Sequence, residues 1–247
     1  MEINSLQNPL VKDWVRLKNN KYRNLTRTFL VEQENLISEA RRAGLLRQLI
    51  TLKGETPLYD DYPCCWVSAE VMRKISGNVS MNKQVGLCDF KTEELSWGDR
   101  LVILDDVRDP ANVGAIIRTA LALGYDGMIL SDNSVDIYHQ KLIKAAMGAN
   151  FFLPIKRCEL TKELSILRKS GYKLLATDLT ATKTLSEVRI PKRFAVVFGN
   201  EGSGIRAEVA AACDLSFKIP LAEFDSLNVA VAAGICLYEL GRENQHG

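Results

Sequence analysis

The stretch LVILDDVRDPANVGAIIRTALALG, residues 101–124, decides the fold. Leu101–Val107 reads as a buried strand, and Asp109-Pro110 opens a helix, because a proline in the first turn lacks only an N–H that would have had no partner there. The helix runs to Leu123, and Gly124 stops it. Gly127–Ser131 then reads as another apolar strand. Strand, helix and strand in this order form the repeating unit of a parallel sheet covered by helices on both faces.

Toward the C-terminus the alternation continues. A helix is expected at His139–Met147, ended by Gly148, then strand Phe151–Ile155, helix Lys162–Lys169 ended by Gly171, and strand Lys173–Thr177. Strand Phe194–Phe198, helix Ile205–Ala212, strand Leu215–Ile219 and a long apolar helix from Leu227 follow. Toward the N-terminus, the polar segment Lys91–Arg100 with Gly98 reads as a linker. Before it lies a smaller α/β module. Its elements are a basic helical segment around Asn8–Asn20, an extended Thr28–Glu32, helix Glu34–Ala43 stopped by Gly44, strands Gln48–Leu52 and Cys65–Ser68, helix Ala69–Ile75 and strand Val85–Phe90. Two domains are therefore expected, residues 1–95 and 96–247.

The chain has 247 residues, of which 47% are hydrophobic, enough for a proper core and too many for disorder. No apolar run reaches the roughly 20 residues that span a bilayer, and the opening MEINSLQNPLVKDW lacks a basic start and apolar middle, so a cytoplasmic protein is expected. Six cysteines without CxxC spacing read as reduced, buried thiols. With His139 and His246 as the only histidines, a His/Cys metal site has no support and no metal is expected. The net charge of +2 is uneven: residues 1–53 hold ten Lys/Arg and five Asp/Glu, so +5, which leaves −3 for the rest. Trp14, Tyr22 and Phe29 lie among those bases, a mixture that suits phosphate attraction with base or sugar contact, or else a solvated helix face.

A parallel sheet binds ligands outside the C-terminal ends of its strands. Three loops there stand out. The first, Arg108–Gly114, carries Asn112, which either caps the helix or serves a site. Arg118 follows in an otherwise apolar helix, where an arginine needs an anionic partner such as Asp105, Asp106, a phosphate or a developing oxyanion. The second is Gly199-Asn200-Glu201-Gly202-Ser203-Gly204, whose glycines permit either a tight turn or close approach to a ligand. It is neither a dinucleotide fingerprint nor a phosphate loop, and its acid favours a neutral or cationic ligand. The third, Ile219–Val231, reads IPLAEFDSLNVAV. Ser226 there reads first as the cap of the last helix, its hydroxyl accepting a free N–H.

Taken together, LDDVRDPANVGAIIRTA, VVFGNEGSGI and IPLAEFDSLNVAVA resemble, in order and spacing, the three signature motifs of the SpoU (TrmH-like) family of RNA ribose 2′-O-methyltransferases of the SPOUT superfamily. The opening SLQNPLVKDWVRLKNNKYRNLTRTFLVE is similar to that family's N-terminal substrate-binding domain, which looks like a small ribosomal RNA-binding protein. The resemblance implies a C-terminal, trefoil-knotted α/β methyltransferase domain preceded by a small α/β RNA-binding domain. It implies S-adenosyl-L-methionine as cofactor, contacted by Gly199, Ile219, Leu221 and Leu227. It implies a catalytic pocket of Asn112, Arg118, Glu201, Ser226 and Asn228, a homodimer, and an RNA substrate, rRNA before tRNA. A guanidinium is a poor base, so Arg118 is read as a stabiliser of the oxyanion and of phosphate. Gln33, Ala222-Glu223 and Ala230 depart from the family's usual glycine, glycine and serine. A catalytically inactive RNA-binding protein of the same fold is the alternative.

Overall fold

The computed structural model describes residues 1–76, 82–92, 96–223 and 226–242; residues 93–95 of the expected linker and His246 lie outside it. The chain forms two compact units.

The first unit comprises Met1–Glu93 and, from later in the chain, Tyr138–Lys144. Its elements are β1 (Glu2–Ile3), α1 (Pro9–Arg16), α2 (Asn20–Thr26), β2 (Thr28–Val31), α3 (Glu34–Arg42), β3 (Leu46–Leu52), β4 (Cys64–Val67), α4 (Ala69–Ile75) and β5 (Gln84–Asp89). The strands lie in the order β1-β4-β3-β5-β2, with β5 antiparallel to both of its neighbours. The expected basic helix is two helices. Asn8 caps the first by accepting the Leu10 N–H at 2.9 Å, and Asn19 caps the second by accepting the Lys21 N–H at 2.8 Å.

This arrangement corrects the reading of the basic segment. Trp14 and Phe29 are 3% and 0% exposed, so their rings belong to the core and cannot stack on a base. Arg23 is 3% exposed; its guanidinium donates to the Leu17 and Lys18 carbonyls at 2.7 and 3.0 Å, closing the C-terminal end of α1. Tyr22 is half-buried and donates to Asp13 at 2.8 Å. Gln33 precedes α3 with φ −107°, an extended conformation open to any residue, so no glycine is required there.

The returning segment Tyr138–Lys144 completes this unit. The Tyr138 ring stacks on Phe90 with centroids 3.9 Å apart and lies 4.5 Å from Phe29, while its hydroxyl accepts the Lys91 N–H at 3.0 Å. Gln140 donates to the Leu30 carbonyl at 3.3 Å, and Lys144 pairs with the buried Glu32 at 3.0 Å.

The second unit holds β6 (Arg100–Asp105), α5 (Pro110–Ala122), β7 (Gly127–Ser131), the end of α6 (Gln140–Ala146), β8 (Ile155–Cys158), α7 (Leu160–Lys169), β9 (Lys173–Thr177), β10 (Phe194–Gly199), α8 (Ala207–Ala211), β11 (Leu215–Phe217) and α9 (Val229–Arg242). Six strands lie in the order β11-β9-β10-β6-β7-β8, every pair parallel. On one face Leu101, Ile103, Ile129, Leu174 and Val197 pack with α7 residues Leu160, Leu164 and Leu167 and with Val209 of α8. The alternation of a strand turns Val102, Leu104 and Val196 to the other face, where α9 meets β10 and packs along α5. The expected strand Phe151–Ile155 is a correction: Ala149–Phe151 forms a 3-10 turn packed near α5, and the strand begins at Ile155.

Candidate active site

The loops after β6, β9, β10 and β11 leave the same edge of the sheet. β6 ends at Asp105, whose carboxylate is fully buried. Asp106 takes a left-handed φ of 61°; its N–H donates to the Ser131 hydroxyl at 2.9 Å and its carboxylate receives Arg108 at 3.2 and 2.9 Å. Asp109 caps α5 by accepting the Ala111 N–H at 3.0 Å, so Asn112 is not the cap and its side chain is released for other work. Arg118 is exposed, and neither of the aspartates offered as its partner reaches it. Asp105 is held by Arg206 and Asp106 by Arg108, and among the described residues Arg118 makes no ion pair.

The glycine loop is closed on itself. The Asn200 N–H donates to the Gly204 carbonyl at 3.0 Å and the Gly204 N–H returns to Asn200 at 2.9 Å. The Asn200 side-chain oxygen accepts the N–H groups of Gly202 and Ser203 at 2.9 and 3.2 Å, and its amide donates to the Asp106 carbonyl at 3.0 Å. Gly204 has φ +68°. A Cβ on Gly199 would lie 2.2 Å from Gly204 C and Ile205 N, so glycine is required there by the loop's own return path. The backbone N–H and Nε of Arg206 both donate to Asp105 at 2.8 Å. Partial burial would lower the Arg206 pKa, but the hydrogen bond and charge of Asp105 outweigh it and the pKa is raised.

In the third loop the cap is Asn228, not Ser226. Its side-chain oxygen accepts the Ala230 and Val231 N–H groups at 2.9 and 3.3 Å, and α9 starts at Val229. Ser226 is exposed and free of that task. Neither Ala222 nor Glu223 has a positive φ, so the loop needs no glycine at either. The Asn228 amide donates to Asn112 Oδ1 at 3.1 Å, and the Asn112 amide donates to Glu201 Oε1 at 2.6 Å. One hydrogen-bonded chain thus joins the three loops, anchored where Asn228 closes the start of α9.

Beside this chain lies a cavity of about 780 Å³ whose lining includes Gly199, Glu201, Ile219, Leu221, Ser226 and Leu227. Asn112, Asn228 and Arg118 stand outside that lining. The loop after β9, Thr177-Asp178-Leu179-Thr180, also lines it. Sequence reasoning passed over this loop, although a position after a parallel strand was signal enough. Asp178 Oδ1 is occupied by the Thr180 N–H and hydroxyl, each at 2.8 Å. Cys213 is also in the lining, and burial pushes its thiol up to about 12. All six cysteines are free, and among the described residues no group of His, Cys, Asp or Glu could hold a metal ion.

Residues 99–238 match the SpoU rRNA methylase family, and residues 8–84 match an MRM3-like substrate binding domain. The chain is 33% identical over 244 residues to the 23S rRNA (guanosine(2553)-2′-O)-methyltransferase RlmP of Bacillus subtilis, covering 97% of this chain and 98% of that protein. Among solved structures, an AdoMet-bound rRNA methyltransferase from Sinorhizobium meliloti aligns with a TM-score of 0.87 at 31% identity over 98% of both chains. The AdoMet complex of AviRb from Streptomyces viridochromogenes aligns with a TM-score of 0.86 at 26% identity, over 98% of this chain and 100% of that one.

Proposed function

This chain belongs to the SpoU rRNA methylase family, and on that premise we propose that it methylates a ribose 2′-hydroxyl of structured RNA, rRNA before tRNA, using S-adenosyl-L-methionine. The observation that carries the proposal is the hydrogen-bonded chain Asn228–Asn112–Glu201, which ties three separate loops together beside the cavity, with Glu201 in the cavity's lining.

The cavity suits the cofactor. Its volume, about 780 Å³, lies in the range of small-molecule sites. Leu221 and Leu227 offer apolar wall, the loop backbones offer hydrogen-bonding groups, and Glu201 and Asp178 offer negative charge to a cationic ligand. Gly199, Ile219, Leu221 and Leu227 would hold it. Bound there, it would supply a sulfonium-activated methyl group, so no metal is needed.

The protein's share is alignment and charge stabilisation. Asn112 is held at both ends, so Glu201 keeps one oxygen fixed and presents the other toward a ribose. Ser226, not engaged as a cap, can orient the same sugar. Arg118, exposed and without an anionic partner among the described residues, supplies a planar fork of donors for a substrate phosphate and the developing oxyanion.

Four further assignments belong to this reading. RNA selection falls to residues 1–95, through exposed bases such as Lys12 and Lys21. The chain forms a homodimer: Val231, Ile235 and Tyr238, spaced to share one face of α9, are 52%, 41% and 58% exposed, and Ala111, Ala115, Arg118 and Ala122 share a face of the adjoining α5. The 96–247 part carries a trefoil knot, supported by the insertion of β10 between β6 and β9 and by the return of the last helix onto α5. No helix among the described residues is long and apolar enough to cross a membrane, and a cytoplasmic enzyme is the reading that suits an rRNA substrate.

The test is transfer of labelled methyl from the cofactor to rRNA that lacks the modification. The label should appear in a dinucleotide that resists alkaline hydrolysis, since a methylated 2′-oxygen cannot attack the neighbouring phosphate. No transfer to rRNA or tRNA would refute the proposal.

A further inference from the structure

We infer that Arg206 is a positioning residue for the cofactor loop, acting through the buried carboxylate of Asp105. The inference rests on the methyltransferase reading and adds to it a residue outside the expected site.

Asp105 closes β6 with 0% exposure and is paired in register with Gly199, the residue at which the glycine loop begins. Arg206, where the loop ends, sends both its backbone N–H and its Nε to the two oxygens of Asp105, each at 2.8 Å. Entry and exit of the loop are thus fastened to one residue, the entry through strand register and the exit through the Asp105 carboxylate. Between them, Asn200 and Gly204 exchange backbone hydrogen bonds, and the Asn200 amide ties the loop to the Asp106 carbonyl. A carboxylate removed from water needs its charge and lone pairs satisfied, and the paired geometry here does both. The pair therefore favours one loop shape, and that shape sets the cavity wall from Gly199 to Ile205. Arg206 lies outside the cavity lining, so it acts on a ligand only through the loop.

Calorimetry with S-adenosylmethionine in the absence of RNA tests this. R206A is expected to raise the cofactor Kd at least tenfold, and R206K to recover part of that loss because a cation still faces Asp105. With RNA saturating, KM for the cofactor should rise while kcat at saturating cofactor stays within about threefold, a split that general loosening of the fold would not give. Because R206A strands a buried charge and can unfold the chain, the double variant D105N/R206A removes that charge; it should regain thermal stability but not cofactor affinity. Wild-type affinity in the folded double variant would overturn the inference. Failure of the unaltered chain to bind cofactor would instead overturn the methyltransferase reading on which it rests.

Discussion

Replacing Gly199 by alanine gives the most direct check on the architecture of the site. The added Cβ would lie 2.2 Å from Gly204 C and Ile205 N, more than 1 Å inside the roughly 3.5 Å at which carbon atoms rest against each other. Both obstacles are backbone, so no side chain can swing away. Gly199 is itself held in register with Asp105 on β6, so the movement must occur on the Gly204 side. That breaks the reciprocal Asn200–Gly204 hydrogen bonds of 3.0 and 2.9 Å. Two such bonds at about 1 kcal/mol each, with residual overpacking, give a loss of about 2–3 kcal/mol. A chain of this length should then melt about 5–10 °C lower. If the closed loop is the cofactor wall, a penalty of about 2 kcal/mol on its closed form raises the cofactor Kd about thirtyfold. Gly204→Ala is the control, because Gly204 has φ +68° but nothing within 4 Å of the added carbon. It should cost about 1 kcal/mol from backbone conformation alone. Differential scanning calorimetry and cofactor titration of both variants decide the matter. A Gly199→Ala protein with unchanged melting and unchanged cofactor affinity would refute the loop's role as described.

Arg118→Ala should leave cofactor binding nearly unchanged and cut turnover about a hundredfold or more, the scale of losing one preorganised donor, and Arg118→Lys should rescue little; single-turnover kinetics measure both. Lys12→Glu with Lys21→Glu should weaken RNA binding and flatten its salt dependence by about 0.7 per lost phosphate contact on single strands, whereas Arg23→Ala should lower stability by about 1–3 kcal/mol and leave that slope alone. Filter binding across a salt series, with melting curves, separates the two. If the proposed homodimer forms, Ile235→Asp on the exposed face of α9 should shift sedimentation toward a single chain of 27.6 kDa; an unaltered protein that already sediments at 27.6 kDa would refute the dimer.

Much of this was legible because periodicity and punctuation coincide. Ala69–Ile75, Gly127–Ser131 and Lys173–Thr177 are found where composition placed them, each bounded by a capping serine or by glycines. Phe151–Ile155 misled because Phe151 and Leu153 are buried, 1% exposed each, in a turn that only tertiary packing could specify. The real strand, Ile155–Cys158, carries Lys156 and Arg157 because it is the sheet's edge, flanked by β7 alone. Among the site residues the types were readable and the duties were not. Asp109 and Asn112 could each cap one helix start, Ser226 and Asn228 another, and backbone geometry chose between them. Trp14 and Phe29 looked available for stacking because residue type carries no information about which face of an element meets the core. Arg206 went unnoticed because the strand reads through to Val107 in the sequence, and Asp105, which in fact ends it, is offered as a partner to Arg118 instead.

The ring stack of Tyr138 on Phe90 bears on how the protein is made. Domains emerging from the ribosome generally fold in order, the N-terminal one first. Here the first unit is finished by Tyr138–Lys144, so its sheet can pair before the Tyr138 ring that packs on Phe29 and Phe90, and the Lys144 ammonium that pairs with Glu32, have been translated. By the time Lys144 is synthesised, β6, α5 and β7 of the other unit already exist. Vectorial synthesis therefore interleaves the two units. A gene fusion that exchanges residues 1–93 between relatives leaves its new N-terminal unit to be completed by seven residues from the old chain.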